Sequence, residues 1–493
     1  MASASGGIQQ SQPPPSPEIR EIQTAGRLTN AAARLKELER IKAAYPKASQ
    51  MARIESLILA ARIELADTVE AVIHLQKSLL DQSQGPRRWA AAFDAAARIM
   101  DHPKLKAFDK GRVLAAVLAY RDEAAKAAAG PEAADAAFYL RAFDLQIAKA
   151  RANAGDGTGA LAALDRFKTA GGESQAEYFA GLGDAYAALG RTEDAYGAYL
   201  GAALDRFPGA ADKARAMYEK LHGSSRGFES YLDSLHKSLP FTPEPYKPSP
   251  GWKGKAVLAE LFTGSEGPSC LGADLAFAGL IQAYPAKSLA VLEYHLPLLG
   301  PDPMTNPAAK RRQDYYGIRR VPTAIIDGEM SFIGGGARRM SATIFKQYRS
   351  SIDARASAEP GARIFVEAAR TGDVVTAEFK VKKYLPGAAV FVVLAQSEVS
   401  YKGASGTIVH RLVVRDIVER DPAASGKTVF DLAAAEKAAD AVLTDIEKTS
   451  AAGPNFKFAE RHAAIDRQNL LVVVFVQDKE TKKVLNAVVA DVR

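Results

Sequence analysis

Cys270 is the one side chain in this sequence that can form a thiolate, and it closes the short segment Gly267-Pro-Ser-Cys270. A single cysteine in 493 residues excludes an internal disulfide framework and any metal site built on several thiolates. Its surroundings decide what it does. A thiol next to positive charge ionises and reacts, whereas a thiol in an apolar interior is a small hydrophobe. Both readings stay open from the sequence. The seven histidines are scattered, and no His-Glu-x-x-His, Walker or EF-hand pattern occurs, so no metal and no cofactor is expected. Gly155-Asp-Gly-Thr-Gly-Ala160 lies between helical segments with no strand before it, so it is not a dinucleotide loop.

The elements that must position Cys270 run from Val257 to Gly328. Ala256-Val-Leu-Ala-Glu-Leu-Phe262 is a continuous apolar run, as expected for a strand buried on both faces. A turn from Thr263 to Cys270 leads into a helix with Leu271, Leu275, Ala278 and Ile281 at helical spacing, stopped by Pro285. A second strand covers Leu289 to His295. Beyond a Pro-rich loop, Tyr316-Gly-Ile-Arg-Arg-Val-Pro-Thr-Ala-Ile-Ile-Asp-Gly328 predicts a further strand, followed by a hairpin about Asp327-Gly328 and a helix from Ser341 to Ala354.

This order, with Gly267-Pro-Ser-Cys270 opening a helix and Val321-Pro-Thr323 before a late strand, resembles the thioredoxin fold. The run from Glu260-Leu-Phe-Thr263 to Cys270-Leu-Gly-Ala-Asp274 is similar to extracytoplasmic bacterial thioredoxin-like proteins, which carry two cysteines there. The resemblance implies that Pro322 is a cis-proline lying against the sulfur. It also implies that Glu260 is the buried acid that assists proton transfer, and that Cys270 is the second, resolving cysteine. Gly267 replaces the attacking cysteine, which rules out a dithiol cycle. The peroxiredoxin comparison fails on the same residue, because a hydroxyl side chain is required there.

From Leu28 to about Leu239 the chain is Ala-rich with helix-period segments, which predicts stacked antiparallel helices. The segment from Ala176 to Leu204 resembles a tetratricopeptide repeat in Gly183, Tyr186, Leu189, Gly190, Ala195, Tyr199 and Ala202. Such a stack implies a groove for a protein or peptide partner, with Tyr178, Tyr186, Tyr196 and Tyr199 as aromatic contacts or, alternatively, as packing between helices. Phe241 to Pro250 holds four prolines and predicts a stiff linker. From about Ala362 the pattern changes to strands, with one helix from Leu432 to Lys448, predicting an immunoglobulin-like β-sandwich with a helical insertion. Within it, Glu398 to Gly403 and His410 to Arg415 are similar to C-terminal domains attached to the same thioredoxin-like proteins. That makes His410 a candidate site residue; the competing reading is a salt-bridged surface hairpin.

The expected organisation is a flexible leader (1–27), a helical-repeat solenoid (28–239), a linker (240–251), an α/β thioredoxin-like domain (252–358) and a β-sandwich (359–493). A net charge of +7 and pI of 9.1 are mild for this length, and Lys and Arg alternate with acids, so no nucleic-acid partner is expected. No membrane span is expected either. The leader has no apolar core of signal-peptide length, which favours the cytoplasm, while the resemblance favours a periplasmic or secreted protein. The expected function is protein interaction on a degenerate, redox-inactive thioredoxin-like domain. The alternative is a monothiol oxidoreductase or peroxidase-like enzyme using Cys270.

Overall fold

The computed structural model describes residues 17–48, 50–66, 118–131, 133–172, 176–248, 250–421, 426–450 and 456–493, with isolated positions between 68 and 93. The chain divides into two compact units, residues 1–173 with 177–199, and residues 174–176 with 200–493. Helices accompany an eight-stranded mixed sheet and a three-stranded sheet, a multidomain α/β arrangement. No helix among the described residues is long and apolar enough to cross a membrane.

The first unit is helical. Helices α1 (Pro17–Gly26), α2 (Ala31–Ala44) and α3 (Met51–Leu65) bury Ile22, Ala25, Leu38, Ile41, Ile54 and Ile58 together. The expected leader is therefore corrected over 17–26, where Ile22 and Ala25 anchor a helix; residues 1–16 lie outside the described ones, as does most of 69–117. Helices α4 (Ala133–Asn153) and α5 (Gly157–Phe167) pack Phe143, Ile147, Ala160 and Leu164 against one another. Asp156 caps α5 by accepting from Gly159 N at 2.8 Å. Asp144 is buried between Arg121 and Arg166, at 2.8 Å from each. Along α6 (Ala176–Ala188) and α7 (Thr192–Leu204), a β-carbon at Gly183 would overlap the ring of Tyr199, so this glycine lets the two helices approach.

The second unit begins within the expected helical domain, at Leu200. Helices α8 (Ala210–His222) and α9 (Phe228–Lys237) belong with the sheet, because Arg338 donates to the carbonyl oxygens of Leu235, His236 and Ser238 at the end of α9. The proline-rich stretch after it is not a free spacer. Tyr246 N donates to Ala283 O at 2.8 Å, Tyr246 stacks on Tyr284 and Phe241 packs on Phe345.

The large sheet consists of β1 (Val257–Thr263), β2 (Leu289–His295), β3 (Thr323–Ile326), β4 (Met330–Ile333), β7 (Ala388–Ser400), β8 (Val409–Arg420), β10 (Leu470–Asp478) and β11 (Val484–Asp491), in the order β11-β10-β7-β8-β2-β1-β3-β4. The chain thus differs from two separate β domains: β8 runs parallel to β2, with Glu293 opposite Val413, and the C-terminal strands extend the central sheet. The long apolar runs of β7 and β10 explain this, since both faces of each are covered. Phe391, Val393, Val473 and Phe475 pack into the core shared with Leu258, Phe262 and Tyr294. Val390, Val392, Val472 and Val474 face the small sheet of β5 (Arg363–Thr371), β6 (Val374–Lys382) and β9 (Gly426–Asp431).

Helices α10 (Leu271–Ala283) and α12 (Ser341–Ala356) cover the opposite face of β1, through Val257, Ala259 and Leu261. Helix α11 (Pro307–Tyr316) occupies the stretch expected as loop; Asn306 caps it, accepting from Ala309 N at 3.0 Å, and Pro307 opens it. Helix α13 (Leu432–Thr449) follows β9.

Candidate functional site

Cys270 sits where β1, α10 and two loops meet. After β1 the chain turns, Cys270 N donates to Gly267 O at 2.8 Å, and Pro268 opens a single 3-10 turn into α10. On one side the loop after β4 closes over this turn: Gly336 N donates to Ser269 O, and Gly272 N to Gly336 O, both at 2.8 Å. A β-carbon at Gly335 would overlap the Ser269 carbonyl and crowd Pro322, so a bare backbone is needed for the close approach. The Val321–Pro322 bond is cis, and Pro322 O accepts from Gly334 N at 2.8 Å.

On the other side the loop between β7 and β8 closes in. Ser405 N donates to Ser265 O at 2.8 Å, and a β-carbon at Gly403 would overlap that same carbonyl. The result is a wholly buried sulfur. Burial pushes the Cys270 thiol up to about 12, and the Asp274 charge adds to the effect; the Thr263 hydroxyl and the Gly264 N–H offset only part of it.

The polar groups around the thiol are themselves buried. Asp274, one turn along α10 from Cys270, accepts from Thr263 Oγ1 at 2.6 Å and from Thr407 Oγ1 at 2.7 Å, so it ties α10 to β1 and to the β7–β8 loop. Burial pushes its carboxyl up to about 6. His295 Nδ1 lies 2.9 Å from Asp302 Oδ2, and Asp302 also accepts from Ser265 N at 2.7 Å and Met304 N at 2.8 Å. Burial opposes ionisation of Asp302, yet His295 and these hydrogen bonds outweigh it and hold the carboxyl below its usual range. His410 Nε2 is 3.2 Å from Tyr401 O, which assigns the proton to that nitrogen; burial and the neighbouring His295 push its pKa down to about 3. Glu293, pushed well up by burial and then by Asp274, accepts from Arg411 N at 3.2 Å. The His295 and His410 rings meet edge to face at 4.8 Å, and among the described residues His295 Nε2 and His410 Nδ1 have no partner.

Glu260 is not in this cluster. Its carboxylate is held by Arg312 Nε at 2.7 Å and Nη2 at 2.9 Å, by Tyr294 OH at 3.0 Å and by Tyr316 OH at 2.8 Å. Arg312 Nη2 also donates to Gln477 Oε1 at 2.9 Å, and its guanidinium lies over Phe391 and Phe475. The expected proton-transfer role is therefore corrected to that of a buried ion pair, because every oxygen of Glu260 is already engaged. The acid beside the thiol is Asp274. His410 is likewise buried and not part of a surface hairpin.

The tyrosines of the helical unit divide. Tyr199 is buried and donates to Asp184 at 2.6 Å, and Tyr178 stacks on Phe167 at 6.2 Å, so both are packing residues. Tyr186 and Tyr196 are half-buried, with Arg191 over the Tyr186 ring.

The sequence reading missed Asp274, His295, Asp302 and Thr407 as site residues. Their signal was positional: His295 ends a strand beside the one that leads to Cys270, and Asp274 lies one helical turn past it. Among the described residues, no group of three or more His, Cys, Asp or Glu side chains is placed to hold a metal ion. Comparison of the chain with family models, with curated proteins and with solved structures returned no match.

Proposed function

We propose that this chain is a protein-interaction protein in which β1 to α12 form a degenerate thioredoxin-like module, used as a rigid platform and not as a dithiol oxidoreductase. The observation that carries this reading is the state of Cys270. It is wholly buried under two loops, its thiol is pushed up to about 12, and the position one turn earlier is Gly267. A nucleophilic thiol needs the opposite environment, partly exposed and electropositive. The close approach of Gly335 to Pro322 and to the Ser269 carbonyl of the Cys270 turn supports the thioredoxin-like assignment. In the helical unit, the half-buried Tyr186 and Tyr196 are the proposed aromatic contacts for a peptide or protein partner. An extracytoplasmic location rests on the resemblance alone.

The monothiol alternative would require both loops to open before Cys270 could attack. The deciding measurement is alkylation of the folded protein across pH. Cys270 should react far more slowly than a free thiol up to about pH 9 and at the ordinary rate once denatured. Fast alkylation with an apparent pKa below about 8.5, or insulin reduction above background with dithiothreitol, would overturn the reading.

A further inference from the structure

Among the described residues, β4 ends the large sheet and β9 the small one, each with a strand on one side only. The other end of the small sheet is closed, because Arg370 N donates to Arg493 O and Arg493 N to Ala368 O, which ties β5 to the end of the chain. Strand β9 lies straight against β6, from Gly426 opposite Phe379 to Asp431 opposite Val374, with no bulge and no proline. Just past it Leu432 N donates to Asp373 O at 2.8 Å, so these two residues are a hydrogen-bonded pair in the same register. Such pairs alternate along an antiparallel ladder. Gly426, Thr428 and Phe430 therefore give their backbone groups to β6, and Lys427, Val429 and Asp431 turn theirs outward. The side chains alternate too: Thr428 and Phe430 are buried, whereas Lys427, Val429 and Asp431 are exposed, Val429 by 51%.

An edge of this kind accepts another strand, and proteins usually guard it with a proline, a bulge or a charge at its middle. Here the middle is Val429, and the charges stand at the two ends with opposite signs, Lys427 and Asp431. We propose that β9 pairs antiparallel with β9 of a second copy of this chain about a two-fold axis at Val429, joining two small sheets into one of six strands. In that register Val429 meets Val429, and Lys427 of each chain meets Asp431 of the other on the same face. The two valines exchange two N–H···O bonds, and Asp431 N donates to Lys427 O on each side. Asp431 gives one carboxylate oxygen to Ala434 N, at 2.9 Å, as the cap of α13, which leaves it anionic for the lysine. An axis moved to Thr428 or Phe430 sets a charge against Val429, and an axis between residues turns exposed side chains onto the buried face. Strand β4 has no charge in Met330–Ile333 to choose a register. The contact is small, so the dimer is weak and depends on concentration. It is independent of the state of Cys270.

The test is sedimentation of the full chain over a wide range of concentration. The mass of wild type should rise from 52.6 kDa towards twice that value. Val429→Pro removes an N–H that β6 does not use, a position where an edge strand tolerates proline, and should weaken the dimer at least about tenfold with the native far-ultraviolet spectrum kept. Lys427→Asp and Asp431→Lys read the register. Each alone sets like charges together twice across the axis and should sediment as a monomer, whereas the two variants mixed in equal amounts should pair with each other, since every carboxylate then meets an ammonium. Lys427→Asp leaves the cap of α13 intact and carries the test alone if Asp431→Lys fails to fold. A single-chain mass for wild type at every concentration overturns the proposal and leaves the edge to a strand of another protein. A dimer that survives either Val429→Pro or Lys427→Asp, or folded variants that stay monomeric when mixed, overturns it as well.

Discussion

At position 267 a β-carbon would stand 3.1 Å from the sulfur of Cys270, close to the separation of about 3 Å across a disulfide. The nearest obstacle is the end of the half-exposed Leu299 side chain. Gly267→Cys should therefore yield an intramolecular disulfide under mild oxidation, seen by mass spectrometry, and when reduced a new thiol titrating below about 8.5 at the helix start. Two freely titratable thiols after oxidation would remove the thioredoxin-like assignment. Asp274 permits a second test. Its folded carboxyl is raised from 3.8 to about 6, so within that window the native state holds a proton that the unfolded chain has released. This contribution to stability falls as pH rises through the window. Asp274→Asn, neutral at every pH, should melt close to wild type near pH 4.5 and above it near pH 7.5. Glu293 is raised by burial and in part by the Asp274 charge, so the Asn variant also lessens the Glu293 shift, which enlarges the difference in the same direction. A difference in melting temperature that does not grow with pH would show that Asp274 is not the group at work.

The two loops over Cys270 act as elements, and each depends on one glycine. Gly403→Val and Gly335→Ala would drive a side chain into the carbonyls of Ser265 and Ser269. Each should loosen its loop and raise the alkylation rate of Cys270 by at least about tenfold while the far-ultraviolet spectrum stays native. An unchanged rate in both would mean that the thiol is shielded by the sheet core and not by the loops. How much of these elements was legible follows from where their contacts lie. Strand β1, the Cys270 turn, the helix after it and the Asp327-Gly328 turn were readable because periodicity and turn chemistry are local; Asp327 and Gly328 both have positive φ at the centre of the turn closed by Glu329 N donating to Ile326 O, within a three-residue loop between the paired Ile326 and Met330. Helix α11 was not, since Pro307–Tyr316 is mostly polar and its buried side is built from Arg312, Ala308 and Ala309. Its Asn306-Pro307 start was the signal available. The single pairing of β8 with β2 leaves no trace in either strand's own pattern, so the C-terminal strands read as a separate sandwich.

For the whole molecule, the Glu260–Arg312 pair is the sharpest probe, because it joins β1, α11 and β10 through Gln477. Glu260→Leu or Arg312→Met alone should cost about 3–5 kcal/mol in denaturant melts, since each leaves its partner charged and buried, whereas the double variant should lose much less. Additive losses would argue against a coupled pair. The unit boundary at 200 gives another outcome: fragment 200–493 should melt cooperatively, while 240–493, which lacks the carbonyl partners of Arg338, should be markedly less stable. Equal melting would place α8 and α9 outside the core. The strand order also has a consequence for synthesis. Ala256 N is satisfied by Asn486 Oδ1, 230 residues later, and the Asp327 carbonyl by Val484 N, so the ribosome must finish nearly the whole chain before these two groups, one just ahead of β1 and one just after β3, find their partners. Until then the edge of β7 from Val390 to Leu394 lacks its β10 partner and is open to pairing with another chain.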